Sequence, residues 1–252
     1  MLKLKMGQLS GKKNKKAQLT VFFILGIILI AAVAYYLSSR GKVETVEVSA
    51  DIQPVKLYLD KCLELASKNA FIVMGINGGK RILEEPYLSS GIVDTNFLYD
   101  GGTLRIDSLD VFKKNLEAEI SSNLEKCFSN FSEPGTAIER GIPNVTVNFL
   151  EKSSRIDAVW PVKVQRNGKT EELGRLESAT LDVRMKLIYE VAANITDNVA
   201  TRPEKLEFLP LLETGMNITI GITPDAELFL IIDPNSTIEH KPYAFFFATR
   251  IK

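Results

Sequence analysis

The longest apolar run of the chain lies near its start, where the 23 residues from Ala17 to Ser39 include no charged side chain. A helix of that length rises about 34 Å, enough to cover a hydrocarbon layer of about 30 Å. Lysines concentrate before the run, and basic residues favour the cytoplasmic side of a membrane. The pattern therefore predicts a single-pass cell-membrane protein: a basic cytoplasmic tail over 1–16, a transmembrane helix over 17–39, and an extracytoplasmic body over 43–252.

Two amphipathic helices are predicted in that body. Apolar residues recur at spacings of three and four over 55–73 and again over 109–131, where Ser108 is a suitable N-cap. Each apolar stripe contains one of the two cysteines, Cys62 and Cys127. We predict a disulfide between them, because both lie outside the membrane on helix faces that can pack together. The alternative is a pair of buried free thiols, which behave as small hydrophobic groups.

From residue 143 onward, alternating apolar and polar residues predict strands. Asn167-Gly168 predicts a hairpin turn, a second turn is expected over 223–226, and the chain ends in a strand. Pro161 predicts an edge position or a bulge. Residues 181–199 fit both the two-residue period of a strand and the 3.6-residue period of a helix. We predict a short strand that passes into a helix near Arg184.

The predicted fold class is α+β, with two disulfide-linked helices against a mainly antiparallel sheet over 54–252. A short polar stalk over 40–53 connects this domain to the membrane helix. The Gly-rich segment 75–107 predicts a structured surface loop. Its aromatic residues, Tyr87, Phe97 and Tyr99, are candidate contact groups of a binding loop, and the alternative is burial against the helices.

Net charge narrows the range of partners. Residues 1–42 hold eight basic and no acidic residues, which leaves 23 basic and 31 acidic residues in the remainder. A body with a net charge of −8 argues against nucleic acid as a partner, because phosphate binding requires positive charge on the folded domain. The predicted partners are the lipid bilayer and envelope proteins, including further copies of the chain.

The N-terminal run has two other interpretations. The small residues of "AVA" over 32–34 fit a signal-peptidase site, which would make the run a cleaved secretory signal. The stretch "KKAQLTVFF" resembles the class III signal segments of archaeal type IV pilin-like proteins. That resemblance implies prepilin-peptidase cleavage between Ala17 and Gln18. The chain departs from the pattern at Phe22, where pilin-like proteins carry a Glu that is thought to dock subunits into the filament.

The longer layout, in which such a segment precedes "CLELASKNAFIVMGINGG" and a late "YAFFFA", resembles uncharacterised archaeal membrane-anchored proteins. This resemblance implies no activity.

Five N-x-S/T sequons lie beyond the predicted span, more than the composition gives by chance. They predict a glycosylated outer surface, and the alternative is that these residues mark turns and exposed strand positions. The candidate acceptors are Asn130, Asn144, Asn194, Asn217 and Asn235.

Signatures of catalysis are missing from the sequence, which has no nucleophile elbow, zinc-binding His pair, phosphate loop or dinucleotide fingerprint. We therefore predict no catalytic residues, no metal site and no cofactor, and we interpret the lone His240 as a solvated turn residue. Oxygen-rich "DPNST" over 233–237 is explained by turn chemistry rather than by calcium. The leading hypothesis is an envelope protein with a structural or interaction role, followed by a solute- or glycan-binding module and, third, an envelope enzyme.

Overall fold

The computed structural model describes residues 26–31, 49–50, 52–129, 131–132, 134–202 and 214–251. The chain divides into two compact units, 1–48 and 49–252. Of the first unit, the description covers a short helical stretch over 26–31. All of the elements below belong to the second unit.

Three helices lie among the described residues of the second unit: α1 (Gln53–Ile76), α2 (Leu109–Ser129) and α3 (Met185–Thr201). A proline occupies the first turn of α1, where its missing N–H leaves no hydrogen bond unmade. The Ser108 Oγ accepts a hydrogen bond from the Val111 N–H at 3.3 Å, which is N-cap geometry at the start of α2. The predicted first two helices are thus confirmed, and α3 begins directly after Arg184, where the sequence predicts the change of period.

The strands form two sheets rather than the one predicted. In chain order they are β1 (Tyr87–Ser89), β2 (Asp94–Asp100), β3 (Thr103–Leu104), β4 (Thr136–Arg140), β5 (Asn144–Phe149), β6 (Ser154–Arg166), β7 (Lys169–Arg175), β8 (Ala179–Leu181), β9 (Asn217–Ile222), β10 (Glu227–Ile238) and β11 (Lys241–Arg250). The first sheet has the order β1-β2-β11-β10-β9, with β3 paired to β2. In the second sheet, β6 pairs with β4, β5, β7 and β8.

The first sheet is mixed, because β2 runs parallel to β11 with Phe97 opposite Ala248. The prediction of a surface loop over 75–107 is therefore wrong. Four consecutive residues of β2, from Thr95 to Leu98, are buried. A strand that is covered on both faces shows no alternation of apolar and polar residues, so the periodicity test does not detect it.

The second sheet is antiparallel throughout and centred on the long strand β6. Its pairing with β7 shifts register between Val159 and Val162, which places Pro161 in a bulge of a central strand. The bulge prediction is confirmed and the edge alternative is wrong. Asn167 and Gly168 both have positive φ in the β6–β7 hairpin, as a type I′ turn requires.

A chain of aromatic contacts connects the layers of this unit. The fully buried Trp160 of β6 meets Phe128 of α2 edge-on, with 5.3 Å between ring centroids. Further along α2, Phe112 stacks on Tyr189 of α3 at 4.3 Å. Tyr189 in turn meets Phe245 of β11 edge-on at 6.1 Å. These aromatic contacts therefore run from β6 in the second sheet, through α2 and α3, to β11 in the first sheet. Large buried rings contribute strongly to the stability of a core.

The N-terminal transmembrane helix predicted over 17–39 must be corrected. Among the residues that the structure describes, no helix has both the length and the apolar character needed to cross a membrane. Within that segment, the structure describes residues 26–31, which are helical. The remainder of that segment and the basic tail over 1–16 lie outside the described residues.

The end of α1 approaches β11 so closely that only glycine fits. A Cβ on Gly75 would lie 2.6 Å from the Tyr243 hydroxyl and 2.7 Å from the Ala244 carbonyl oxygen. That hydroxyl is fixed, since it donates a hydrogen bond to the Phe71 carbonyl at 2.7 Å. Burial raises the pKa of Tyr243, so the phenol stays protonated as a donor at neutral pH.

We expect Gly75→Ala to lower the free energy of unfolding by about 1–3 kcal/mol, because the added methyl group overpacks this contact. In an ordinary helix interior, Gly→Ala raises the free energy of unfolding by about 0.5–1 kcal/mol. A decrease at Gly75 would therefore identify the close contact as its cause. Urea denaturation measures the effect. Gly174→Ala is the control, since nothing lies within 4 Å of its Cβ position, and a loss of stability there as large as at Gly75 would contradict the explanation.

Candidate functional site

The candidate site is an apolar groove between the end of α1 and the first half of β11. Its volume is about 290 Å³, and we call it the α1–β11 groove. It is lined mainly by Ile72, Ile76, Ile238, Pro242, Ala244 and Phe246. Ile72 and Ile76 remain 41% and 37% exposed, although both are large aliphatic side chains.

The groove exists because β11 is longer than its pairing with β2. β10 pairs with β11 over 241–249, whereas β2 pairs only from Ala248 onward. The free edge of the first half of β11 is occupied by α1 instead of a strand. Gly78, just after α1, lies next to this edge, with its Cβ position 3.4 Å from the Phe246 carbonyl oxygen, and its φ of +66° favours glycine. Thr95 Oγ1 donates to the same carbonyl at 3.2 Å.

Beyond the groove, the same face of the first sheet continues as an apolar surface. Leu230 lies opposite Phe246 and Ile232 lies opposite Ala244, and all four side chains are only half-buried. The alternate residues of β10 and β11 on the other face, including Ile231 and Phe245, are fully buried against the helices. One face of the sheet therefore forms the core, and the other presents apolar side chains to the outside.

The charged groups lie at the rim of the groove. Glu239 stands 3.7 Å from Lys68 of α1, and Lys241 begins β11. Glu239 and the exposed His240 form the β10–β11 turn, and both have positive φ. His240 thus occupies a turn, as the sequence predicts. An apolar centre with a polar rim is the arrangement found in protein–protein interfaces.

The predicted binding-loop aromatics are not in this groove. Phe97 is only 3% exposed, and the Arg250 guanidinium covers its ring at 4.8 Å from the centroid. Tyr87 and Tyr99 are half-buried in β1 and β2. Sequence reasoning missed the groove because Ile72 and Ile76 lie outside the predicted stripe of α1, and nothing in their sequence context marks them as binding residues. Their position beside the uncovered face of β11 is visible only in three dimensions.

The other candidate residues are distributed over the body. Cys62 and Cys127 form the predicted disulfide, with Cα atoms 5.7 Å apart, and so join α1 to α2. The sequon residues Asn144, Asn194, Asn217 and Asn235 are all exposed. Asn130, Ala17 and Gln18 lie outside the described residues, so cleavage after Ala17 remains a prediction.

A buried ion pair is the feature that the sequence concealed. Asp233, fully buried in β10, accepts hydrogen bonds from Arg184 Nε at 2.9 Å and Nη2 at 2.6 Å. The Ser236 hydroxyl also donates to this carboxylate, and the Asn235 N–H donates to it at 3.1 Å. Both oxygens of the "DPNST" carboxylate are thereby used within the protein. Among the described residues, no group of three or more His, Cys, Asp or Glu is arranged to hold a metal ion.

Electrostatics at Asp233 follow from these contacts. Burial alone would raise the pKa of the Asp233 carboxyl, but the hydrogen bonds from Arg184, Ser236 and Asn235 hold it below its usual value. The same pairing raises the pKa of Arg184. The pair connects the start of α3 to the bulge of β10, and we interpret it as structural.

Comparison with known proteins yields no relatives for this chain: no protein-family model matches it, and no curated protein or solved structure shows significant similarity. The resemblance to archaeal pilin-like and membrane-anchored proteins therefore remains a prediction. Any functional conclusion has to come from the geometry described above.

Proposed function

We propose that the body formed by residues 49–252 works outside the cytoplasm, with a structural or interaction role in the cell envelope. The observation that carries the proposal is the α1–β11 groove, where exposed isoleucines of α1 meet the uncovered apolar face of β10 and β11. Contiguous exposed apolar surface with a polar rim is typical of a protein-binding site. The groove would receive an apolar side chain of a partner protein.

Two further features support an extracytoplasmic location. The Cys62–Cys127 disulfide is of a kind that persists in oxidising compartments and is rare in reducing ones. Three candidate glycan acceptors outside β9, Asn144, Asn194 and Asn235, lie on the surface, where a transferase would reach them.

A small solute or glycan is a less suitable ligand for the groove. Solute pockets are typically about 300–1,000 Å³ and combine an apolar lining with convergent polar groups. Here the volume is at the lower limit. The Tyr243 hydroxyl is already bonded to Phe71, and the charged groups Glu239 and Lys241 are exposed at the rim. The apolar lining therefore suits an apolar side chain of a protein better than a polar solute.

The test is site-specific photo-crosslinking in the cells that produce the protein. With a photoreactive amino acid in place of Ile72, we expect one discrete crosslinked species, and Ile76→Asp in the same chain should reduce its yield at least tenfold. The matched control carries the photoreactive group at Ile142, which is 82% exposed and is not among the residues that line the groove. Equal crosslinking from both positions, or none from Ile72, would overturn the proposal.

A further inference from the structure

The edge strand β9 differs from every other strand edge among the described residues. β9 pairs with β10 over its full length, from Asn217 opposite Ile232 to Ile222 opposite Glu227. On its other side, no described residue pairs with it. Its sequence, NITIGI, contains neither a charged residue nor a proline. Natural sheets protect exposed edges with such residues, with short strands or with a covering element, because a bare edge is a template for another strand.

The other edges show those protections. β1 and β3, at the opposite end of the first sheet, are only three and two residues long. In the second sheet, β7 carries charged side chains along its length, and β4 ends in Glu139 and Arg140. β5 is uncharged, but α2 covers its edge, where the Val147 N–H donates to Glu117 Oε1 at 2.9 Å. Among the described residues, β9 has none of these protections, so in this part of the chain its edge is open to a further strand.

Apolar side chains also reach this edge and are only partly covered by the residues that the structure describes. Ile218 and Ile220 lie opposite Ile231 and Phe229, so they continue the core-facing row of the first sheet. Both remain half-buried, and Ile222, further along the same row, is 83% exposed. A strand added beside β9 would gain backbone hydrogen bonds and cover this row of isoleucines.

We propose that β9 is a strand-addition site and that its occupant is β9 of a second copy of this chain, in antiparallel pairing. A two-fold axis perpendicular to the sheet, passing between two Thr219 residues, keeps the core-facing sides of both sheets continuous. This register places Ile218 of one copy opposite Ile220 of the other, which is a favourable cross-strand pair. The site is distinct from the α1–β11 groove, so either proposal can fail without the other.

Self-pairing suits this strand in two ways. In a two-fold pairing, each residue of β9 lies opposite a residue of the same strand in the other copy. Because β9 has no charged residue, this pairing brings no like charges together. On the outward face, Asn217 of one copy would lie opposite Gly221 of the other. Gly221 has no side chain, so the asparagine would face backbone there rather than another side chain.

Introducing a charged residue at the two-fold axis tests both the pairing and its register. The full-length chain is expected to sediment as a dimer at micromolar concentration, and Thr219→Lys should weaken dimerisation about tenfold, because two ammonium groups would then face each other. Thr219→Glu should weaken it similarly, while an equimolar mixture of the two variants should restore the dimer. Thr170→Lys, at an exposed threonine of β7, is the control and should leave dimerisation unchanged.

Restoration by mixing excludes misfolding as the cause, since two misfolded variants would not rescue each other. Hydrogen exchange of the backbone amides over 217–222 supplies the second measurement, and protection should depend on protein concentration. A monomer whose amides exchange slowly would mean that this edge is covered within one chain and would overturn the proposal. A monomer with fast exchange, or a dimer that is insensitive to both Thr219 variants, would also overturn it.

Discussion

Replacing Asp233 by alanine is expected to lower the free energy of unfolding by about 3–5 kcal/mol, because the change leaves the Arg184 guanidinium without its bidentate partner. Arg184 retains only 17% side-chain exposure and uses Nε and Nη2 on this one carboxylate. The Ser236 hydroxyl and the Asn235 N–H lose the same acceptor. Urea denaturation followed by fluorescence measures the loss, since the single tryptophan, Trp160, is buried in the core.

A double-mutant cycle separates the pair from the cost of an orphaned charge. We expect Asp233→Ala combined with Arg184→Met to recover a large part of the stability lost by Asp233→Ala alone, because no uncompensated charge then remains. Lys186→Met is the matched control, since Lys186 is on the exposed side of α3 and forms a surface pair with Glu190. Additive losses in the double variant would show that the ion pair does not act as a unit.

The same pair predicts the direction of a pH dependence. The folded-state pKa of Asp233 is below its unfolded value, so its stabilising contribution is present above the unfolded pKa of about 3.9. That contribution is lost as the pH falls from there through the folded pKa. The stability difference between the wild-type protein and Asp233→Asn should therefore shrink below pH of about 4. A difference that grows on acidification would contradict the assignment.

Removing the disulfide with Cys62→Ala and Cys127→Ala together is expected to lower the free energy of unfolding by about 4 kcal/mol. The crosslink closes a loop with a sequence separation of 65, and opening it restores conformational freedom to the unfolded chain. Native contacts change little, because alanine fits where each sulfur packs between α1 and α2. The wild-type protein in reducing buffer should approach the stability of the double variant.

The control for this prediction uses the redox state itself. Reducing agent should leave the double alanine variant unaffected, and on non-reducing gels the wild-type protein alone should migrate faster than its reduced form. Equal stability of the oxidised and reduced wild-type protein would contradict the structural role of the bridge. It would also weaken the argument for an oxidising compartment.

The elements that sequence reasoning recovered are those with a clear local period. The stripes over 55–73 and 109–131 predicted α1 and α2, and their cysteines predicted the bridge between them. The turn at Asn167-Gly168 was equally local, because only a few residue types adopt positive φ easily. The start of α3 after Arg184 followed from a change of period within one segment.

What failed depended on partners distant in the chain. β2 lies 151 residues before the strand it joins, as the Thr95–Phe246 hydrogen bond shows, and burial on both faces removed its alternation. The transmembrane helix over 17–39 was predicted from the length of the uncharged run and the lysines before it, and the described residues contain no helix that could cross a membrane.

The amino-acid sequence by itself determined the two amphipathic helices, the main hairpin turn and the α+β class, because each rests on spacing between neighbours in the chain. It also indicated the disulfide, because each helical stripe contains one of the two cysteines. Only the tertiary structure decided that there are two sheets, that Asp233 pairs with Arg184, and that α1 occupies the free edge of β11. Those features arise where segments far apart in sequence meet. Their energies depend on geometry that no local pattern records.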